Sequence, residues 1–422
     1  MGDIRRIIVS GPVRGTFHVP GSKSLTNRAL VCASIAQGTS AVRNASDSRD
    51  SALMANGLDQ FGVLVRKNRD TWEVEGTGGR LQAPRYPIPV GNAGTTFRFL
   101  LALSCLARGK TTFETSPRMQ ERPQEELLEV LEKAGIAHGQ DSAASRLEVA
   151  GGGFPGGRFS LRQDRSSQFL SALLMIGPAA ASPLEIAVEG PRISEPYVRM
   201  TLAVMRTFGV VVEEREEGYR VSPGRYLACR FTVEPDASGA SYGLAAAAIT
   251  GGEVTIEGMR LDSMQGDTGF VRLLGRMGCT VEEREGGVRV RGVPHLSGID
   301  VDMNAMPDAV PTLAAVALFA ATPTRIRNVA HLRFKESDRL GALATELQRL
   351  GADVVAHDDG LEIVPAPLHG GTVATYDDHR MAMSAGLIGL RVADIGVENP
   401  GCVEKSFPGF WDQLEGIRTP AG

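Results

Sequence analysis

The chain is 422 residues long, 42% hydrophobic and 22% charged, with a formal net charge of −4. A chain of this length outgrows one hydrophobic core and points to two domains. Its acidic balance and 5% aromatic content exclude the basic face and the stacking rings of a nucleic-acid binder.

In chain order, residues 7–9 and 15–19 read as strands on either side of Gly11-Pro12. The start thus leads into a strand and not into the apolar core of a signal peptide. Ala/Leu-rich helices then recur six times, at 28–35, 97–106, 169–176, 242–249, 313–320 and 381–390. All are too short to span a bilayer. Each begins at a small polar residue suited to capping: Ser24, Asn92, Ser166, Ser238, Asp308 and Asp378. Strands follow at 40–44, 110–114, 184–189, 253–257 and 324–328, then an amphipathic helix and a hairpin, clearest at 210–221 and 281–290. Five of these amphipathic helices stop at Gly62, Gly135, Gly209, Gly278 and Gly351. Glycine accepts the left-handed backbone that closes a helix.

This period predicts six repeated units in an α/β (α+β) fold of two similar domains, three units each. The sixth unit ends soon after Trp411 without its hairpin, so the two N-terminal strands are expected to complete it. One domain is then discontinuous, residues 1–20 plus 235–422, and the other, 21–234, is inserted; Pro20 and Pro235 mark the crossings. Five dispersed cysteines in mostly apolar surroundings read as buried free thiols of a reducing, cytoplasmic compartment. The seven histidines show no ligand spacing, so no metal site is expected.

Cations stand at most of the helix starts. Pro20-Gly-Ser-Lys-Ser-Leu-Thr-Asn-Arg28 sets Lys23 and Arg28 beside hydroxyls, an arrangement suited to a phosphate or carboxylate. Gly91-Asn-Ala-Gly-Thr-Thr-Phe-Arg98 has small residues that admit a ligand to the backbone. In Pro117-Arg-Met-Gln-Glu-Arg-Pro123, two arginines flank a loop before a helix starting at Pro123. Arg165-Ser-Ser-Gln168 and Ser194-Glu-Pro-Tyr197 offer hydroxyls and amides. Arg333-Phe-Lys-Glu-Ser-Asp-Arg339, if helical, sets Lys335 and Arg339 one turn apart, with Glu336 among cations and able to shuttle a proton. Asp308 is a candidate base. Tyr376-Asp-Asp-His-Arg380 and Glu404-Lys-Ser-Phe-Pro408 close the set. Singly, each also reads as a helix cap or a solvated ion pair. Jointly, Lys23, Arg28, Arg122, Lys335, Arg339, Arg380 and Lys405 predict a cleft between domains, ringed by helix N-termini, for small multiply charged anions.

These motifs resemble those of the 5-enolpyruvylshikimate-3-phosphate synthase family. The resemblance rests on Pro-Gly-Ser-Lys-Ser at 20–24, Gly-Asn-Ala-Gly-Thr at 91–95, Pro-Arg-Met-x-Glu-Arg-Pro at 117–123 and Ser-Ser-Gln-Phe at 166–169. Lys-Glu-Ser-Asp-Arg at 335–339 and Asp-Asp-His-Arg-Met-Ala-Met at 377–383 extend it over essentially the whole chain. It implies six βαβαββ units and transfer of the enolpyruvyl group of phosphoenolpyruvate to the 5-hydroxyl of shikimate 3-phosphate. It further implies a cytoplasmic monomer of aromatic amino-acid biosynthesis, with no cofactor and no nucleic-acid or membrane partner. By the same resemblance, Lys23, Ser24, Arg28, Ser166, Ser167, Gln168, Ser194, Tyr197, Asp308, His331 and Lys335 hold shikimate 3-phosphate. Lys23, Asn92, Gly94, Arg122, Gln168, Arg339, Arg380 and Lys405 surround phosphoenolpyruvate. Asp308, Glu336 and Lys23 are the catalytic set.

Three positions depart from the family pattern: His331 where the family often has Asn, Phe99 where many members have Pro, and Glu195 where several have a cation. In this family glyphosate occupies the phosphoenolpyruvate site. Gly94 is expected to leave room for it, and Phe99 to let the helix shift and weaken it. Two alternatives remain at this point: enolpyruvyl transfer to a nucleotide sugar, which typically uses a loop cysteine absent from 114–123, and a non-catalytic anion-binding protein.

Overall fold

The computed structural model describes residues 3–68 and 70–421. Glycine punctuates it as the repeat requires. Gly62, Gly135, Gly209, Gly278 and Gly351 all have φ between 77° and 108°. They follow the amphipathic helices Arg49–Gln60, Glu125–Lys133, Glu195–Thr207, Phe270–Arg276 and Arg339–Arg349. After each glycine, the next N–H returns to the carbonyl five residues back. The pairs are Val63 to Leu58, Ile136 to Leu131, Val210 to Met205, Cys279 to Leu274 and Ala352 to Leu347, at 2.9–3.1 Å. One local closure, used five times, turns each helix into its hairpin.

The six buried helices are α1 (Lys23–Ser34), α2 (Gly94–Ser104), α3 (Gln168–Ile176), α4 (Ala237–Thr250), α5 (Val310–Ala317) and α6 (His379–Gly389). Small residues allow them close approach: every residue of α4 is buried. Their starts correct most of the expected caps. Asp378 caps α6 as expected, but α1, α2, α3 and α4 follow Ser22, Ala93, Ser167 and Asp236. Asp308 lies inside a 3-10 turn, Pro307–Ala309, that precedes α5. The helices begin where the chain leaves a tight crossing, as at Gly21, where a Cβ would sit 1.8 Å from the carbonyl oxygen of Asn44.

By Cα proximity the chain divides into two compact units, Gly21–Val233 and Met1–Pro20 with Glu234–Gly422. Each has three small sheets. In the second sheet, Gly109–Thr115 pairs in parallel with Ile88–Gly91 and antiparallel with Arg146–Gly151, which continues the hairpin to His138–Asp141. The first sheet takes its parallel edge strand, Arg230–Thr232, from the far end of its own unit. The N-terminal strands divide their work. Ile4–Arg6 pairs antiparallel with Ile395–Glu398 in the sixth sheet, whereas Arg14–Phe17 pairs in parallel with Glu253–Glu257 in the fourth. The expectation that both complete the sixth unit is corrected. The link between them is fastened along its length, for example from Ser10 N–H to Leu390 O at 2.9 Å and from Gly11 N–H to Thr419 O at 3.1 Å.

In the core of the discontinuous unit, Phe410 meets Tyr242 and Phe407 edge-on, each at 5.5 Å between centroids. In the other unit Phe97 and Phe113 meet in the same way at 5.5 Å. All five cysteines are free. Burial pushes the thiols of Cys32 and Cys105 up to about 12, which leaves them unreactive. Among the described residues no helix is long and apolar enough to cross a membrane.

The helix closures are testable without a packing change. A Cβ at Gly135, where φ is +77°, would meet nothing within 4 Å. Gly135→Ala is therefore expected to destabilise by backbone strain alone, about 1–2 kcal/mol. Gly416 is equally open and has no left-handed φ, so Gly416→Ala is expected to be neutral or stabilising. Denaturant midpoints for the two variants check the contrast.

Candidate active site

In the unit Gly21–Val233, side chains lace the starts of α1, α2 and α3 together. Asn27 of α1 donates to Thr96 of α2 at 3.3 Å. Arg98 of α2 donates to Gln168 Oε1 at the start of α3 at 2.6 Å. Arg28 of α1 donates to Thr201 at 2.7 Å, and Thr201 donates to Ser171 of α3 at 2.9 Å. Among the described residues no side chain caps α1 or α2, and the first N–H of α3 donates to the Ser166 hydroxyl. The first N–H groups of α1 and α2 therefore sit among cations at ends that favour anions.

Arg28 is 1% exposed. Its Nη1 and Nη2 donate to the carbonyls of Ser24 and Tyr197 at 2.9 and 3.1 Å. The Phe99 ring covers one face of the guanidinium at 5.2 Å. Burial pulls the Arg28 pKa down to about 10. Among the described residues no carboxylate pairs with it. Lys23, the first residue of α1, places Nζ 3.3 Å from the buried Asp50 carboxylate. Arg122 donates through Nη1 to both oxygens of Asn92, each at 3.1 Å. Gly94 lies directly beneath it: a Cβ there would fall 2.5 Å from Arg122 Nη2. Gln168, Ser166 and Ser167 meet at the start of α3, where the Gln168 N–H donates to Ser166 Oγ at 3.2 Å. Ser194 precedes its helix with φ +52°, a left-handed turn. Glu195 accepts from the Tyr219 hydroxyl at 2.9 Å, which ties this departure from the family pattern to the scaffold.

The discontinuous unit gathers its residues around Arg339, which is 1% exposed. Nε donates to Asp378 Oδ2 at 2.8 Å, Nη1 to Asp308 Oδ1 at 3.1 Å, and Nη2 to Glu336 Oε2 at 2.8 Å. Burial acts to lower its pKa, but the Asp378, Glu336 and Asp308 carboxylates outweigh it and raise the value. Arg380 Nη2 reaches Asp308 Oδ2 at 2.7 Å. Lys405 Nζ lies 4.0 Å from Glu336 Oε1. Three carboxylates thus share one buried guanidinium, and two of them, Asp308 and Glu336, each meet a second cation. His331 is buried in the 3-10 turn Ala330–Phe334 beside Lys335.

Two local expectations are corrected. Residues 117–121 form a short helix, capped by Ser116 accepting from Met119 N–H, and the longer helix starts at Glu125 and not at Pro123. Residues 335–339 are not one helical turn: Lys335 is extended, and Asp338 caps a helix that begins at Arg339. Glu336 meets Arg339 because this loop folds back. Sequence reasoning missed Asp50 and gave Asp378 only a capping role. The signal for Asp378 was its place two residues before Arg380, because a capping carboxylate at a buried helix start faces the same way as the side chains of the first turn.

Comparison with known proteins supplies the relatives. The family model described as EPSP synthase (3-phosphoshikimate 1-carboxyvinyltransferase) matches residues 8–414. A 3-phosphoshikimate 1-carboxyvinyltransferase of Nostoc punctiforme is 43% identical over 409 residues, covering 96% of both chains. Its counterpart in Pseudoalteromonas translucida is 42% identical over 414 residues, covering 96% of this chain and 97% of that one. Among solved structures, EPSP synthase from Acinetobacter baumannii superposes with TM-score 0.82 at 25% identity, covering 99% of this chain and 98% of that one. The enolpyruvyl transferase NikO from Streptomyces tendae shares the fold, with TM-score 0.79 at 18% identity over 99% and 98% of the two chains.

His331 yields a prediction about acid stability. Burial, then the Lys335 ammonium, lowers its pKa to about 3, so the folded protein holds it neutral. The unfolded chain takes up the proton near pH 6.5. Between about pH 6.5 and 3 the unfolded state binds more protons, so stability falls as pH falls, by up to about 1.4 kcal/mol per pH unit. His331→Asn is expected to flatten this slope. Denaturant midpoints of both proteins across that range measure it, and an unchanged slope refutes the assignment.

Proposed function

The chain belongs to the EPSP synthase family, and we propose that it transfers the enolpyruvyl group of phosphoenolpyruvate to the 5-hydroxyl of shikimate 3-phosphate, releasing phosphate. The reaction is a step of aromatic amino-acid biosynthesis. Its substrates are small molecules, and the reading takes the protein as a cytoplasmic monomer.

The chemistry is an addition followed by an elimination. In the addition, the substrate hydroxyl loses a proton, its oxygen bonds to C2 of phosphoenolpyruvate, and the methylene carbon gains a proton to become methyl. In the elimination, the methyl returns a proton, the C2–O bond to phosphate breaks, and phosphate leaves. Two proton transfers at two different atoms call for two positioned acid–base groups.

The observation that carries the proposal is the pair of carboxylates, Asp308 and Glu336, on the single buried guanidinium of Arg339 at 3.1 and 2.8 Å. Asp308 takes the hydroxyl proton. Glu336, with Lys23 assisting, serves the methylene carbon. Arg339, Arg380, Lys405, Arg122, Lys23, Asn92 and Gly94 receive phosphoenolpyruvate and stabilise the charge of the tetrahedral intermediate. Lys23, Ser24, Arg28, Ser166, Ser167, Ser194, Tyr197, His331 and Lys335 receive shikimate 3-phosphate, with Gln168 serving both substrates. Arg28 fits this role well, as a buried cation for which an anionic ligand supplies the missing countercharge. The fold shared with NikO brings no support for a nucleotide-sugar acceptor. The short helix Pro117–Glu121 stands where that reading needs a cysteine-bearing loop, and it carries none.

Phosphate release on mixing the protein with shikimate 3-phosphate and phosphoenolpyruvate is the direct test; no release refutes the proposal. Asp308→Asn and Glu336→Gln are each expected to lower kcat by about 10²- to 10⁴-fold, with far smaller effects on substrate binding. Turnover within a few-fold of the parent in either variant removes that residue from proton transfer.

Gly94→Ala carries a separate expectation. The added methyl meets the Arg122 guanidinium at 2.5 Å and must push it aside. Its first effect therefore falls on a cation proposed to hold phosphoenolpyruvate, and not on an inhibitor alone. A loss of about 10- to 100-fold in kcat/KM for phosphoenolpyruvate is expected, with KM for shikimate 3-phosphate little changed. Equal effects on both substrates contradict it.

A further inference from the structure

Arg98 stands in the second sequence motif, yet the reaction scheme gives it no role. It is 2% exposed, in the interior of α2. Nη1 donates to Gln168 Oε1 at 2.6 Å, Nε to Gln124 Oε1 at 3.1 Å, and Nη2 to the carbonyl of Pro123 at 2.8 Å. The Phe169 ring lies under the guanidinium at 5.0 Å. This cation therefore touches the start of α3 and the chain immediately after Arg122.

An arginine donates hydrogen bonds and accepts none. Any amide facing it must turn its oxygen inward. For Gln168 this fixes the other end: Nε2 points away from Arg98 and donates to Thr95 Oγ1 at 3.2 Å. The second N–H of that amide has no acceptor among the described residues. Gln124 is oriented in the same way, with its Nε2 turned to the Met119 sulfur at 3.4 Å. A glutamine amide reverses its polarity by a half-turn of its last torsion, at little steric cost. Against anionic substrates that half-turn exchanges a donor for an acceptor.

We infer that Arg98 is a positioning residue that sets the polarity of the Gln168 amide, so that Gln168 presents N–H donors and not its oxygen to the anionic substrates. The inference rests on the proposed placement of Gln168 at both substrates. Arg98 acts on the reaction through that amide. The bond is charge-assisted and part-buried, with Arg98 itself out of water, so it discriminates between the two orientations of the amide.

The test uses four variants of the whole chain, read by phosphate-release kinetics and thermal unfolding. Gln168→Glu keeps the shape and strengthens the bond to Arg98 but removes the donors. It is expected to unfold no lower than the parent and to lose about 10- to 100-fold in kcat/KM for phosphoenolpyruvate. Arg98→Met is expected to cost a similar factor in the parent and less than about threefold when Gln168→Ala is already present. A folded Gln168→Glu protein with parental kinetics overturns the inference. So does an Arg98→Met cost of the same size in both backgrounds. Gln168→Ala alone separates the two levels. If it leaves kcat and both KM values at parental level, the placement of Gln168 at the substrates fails, and the inference fails with it. If it impairs the enzyme while the Arg98 effect stays additive, only the inference fails. Should Arg98→Met not fold, Gln168→Glu still decides.

Discussion

A guanidinium taken out of water has to be surrounded by oxygens or by aromatic faces, and within each unit the positions of the buried arginines order the side chains around them. Arg339 is surrounded by charge: Asp378, Asp308 and Glu336 take its Nε, Nη1 and Nη2. Arg28 and Arg98 donate to neutral groups, among them carbonyls, a hydroxyl and two amide oxygens, and lie against the rings of Phe99 and Phe169. These two solutions differ chemically. The first assembles carboxylates able to move protons. The second leaves Arg28 with no carboxylate partner among the described residues, which is the feature the proposed shikimate 3-phosphate contact draws on.

The repeat makes both solutions possible from one local design. Each unit buries a small-residue helix, and most of these helices carry at or near their start residues proposed to act on the substrates, while the amphipathic helix and its glycine closure deliver the chain to the next sheet. Lys23 opens α1, Gly94 opens α2 and Gln168 opens α3. Asp308 sits in the turn before α5, and Arg380 in the first turn of α6. The same geometric slot holds a cation, a bare backbone, an amide or a carboxylate. Cross-bonds such as Asn27 to Thr96 and Ser241 with Thr312 keep neighbouring slots in register within each unit.

Phe99 shows how a departure from the family pattern can be absorbed. Its ring covers the Arg28 guanidinium, so the residue that interrupts the motif supports a neighbouring cation. Glu195 is taken up in the same spirit by the Tyr219 hydroxyl, at 2.9 Å. Neither contact has a signal in sequence spacing, since both join elements far apart in the chain.

The sequence alone determined what depends on near neighbours. Glycine closures, helix and strand order and the period of the units follow from backbone preferences and apolar spacing, which act over a few residues. The cations at the helix starts, Lys23, Arg339 and Arg380, were legible as well, because each stands beside the small polar residues that open a helix. The exact capping positions at Ser22, Ala93 and Ser167 and the route of Arg14–Phe17 into the fourth sheet were decided by tertiary structure. So were the partnerships of Arg98 with Gln168 and of Arg339 with Asp378, which span 70 and 39 residues. Which oxygen answers a buried charge is settled by the packing that brings distant segments within about 3 Å, and no local preference encodes that distance.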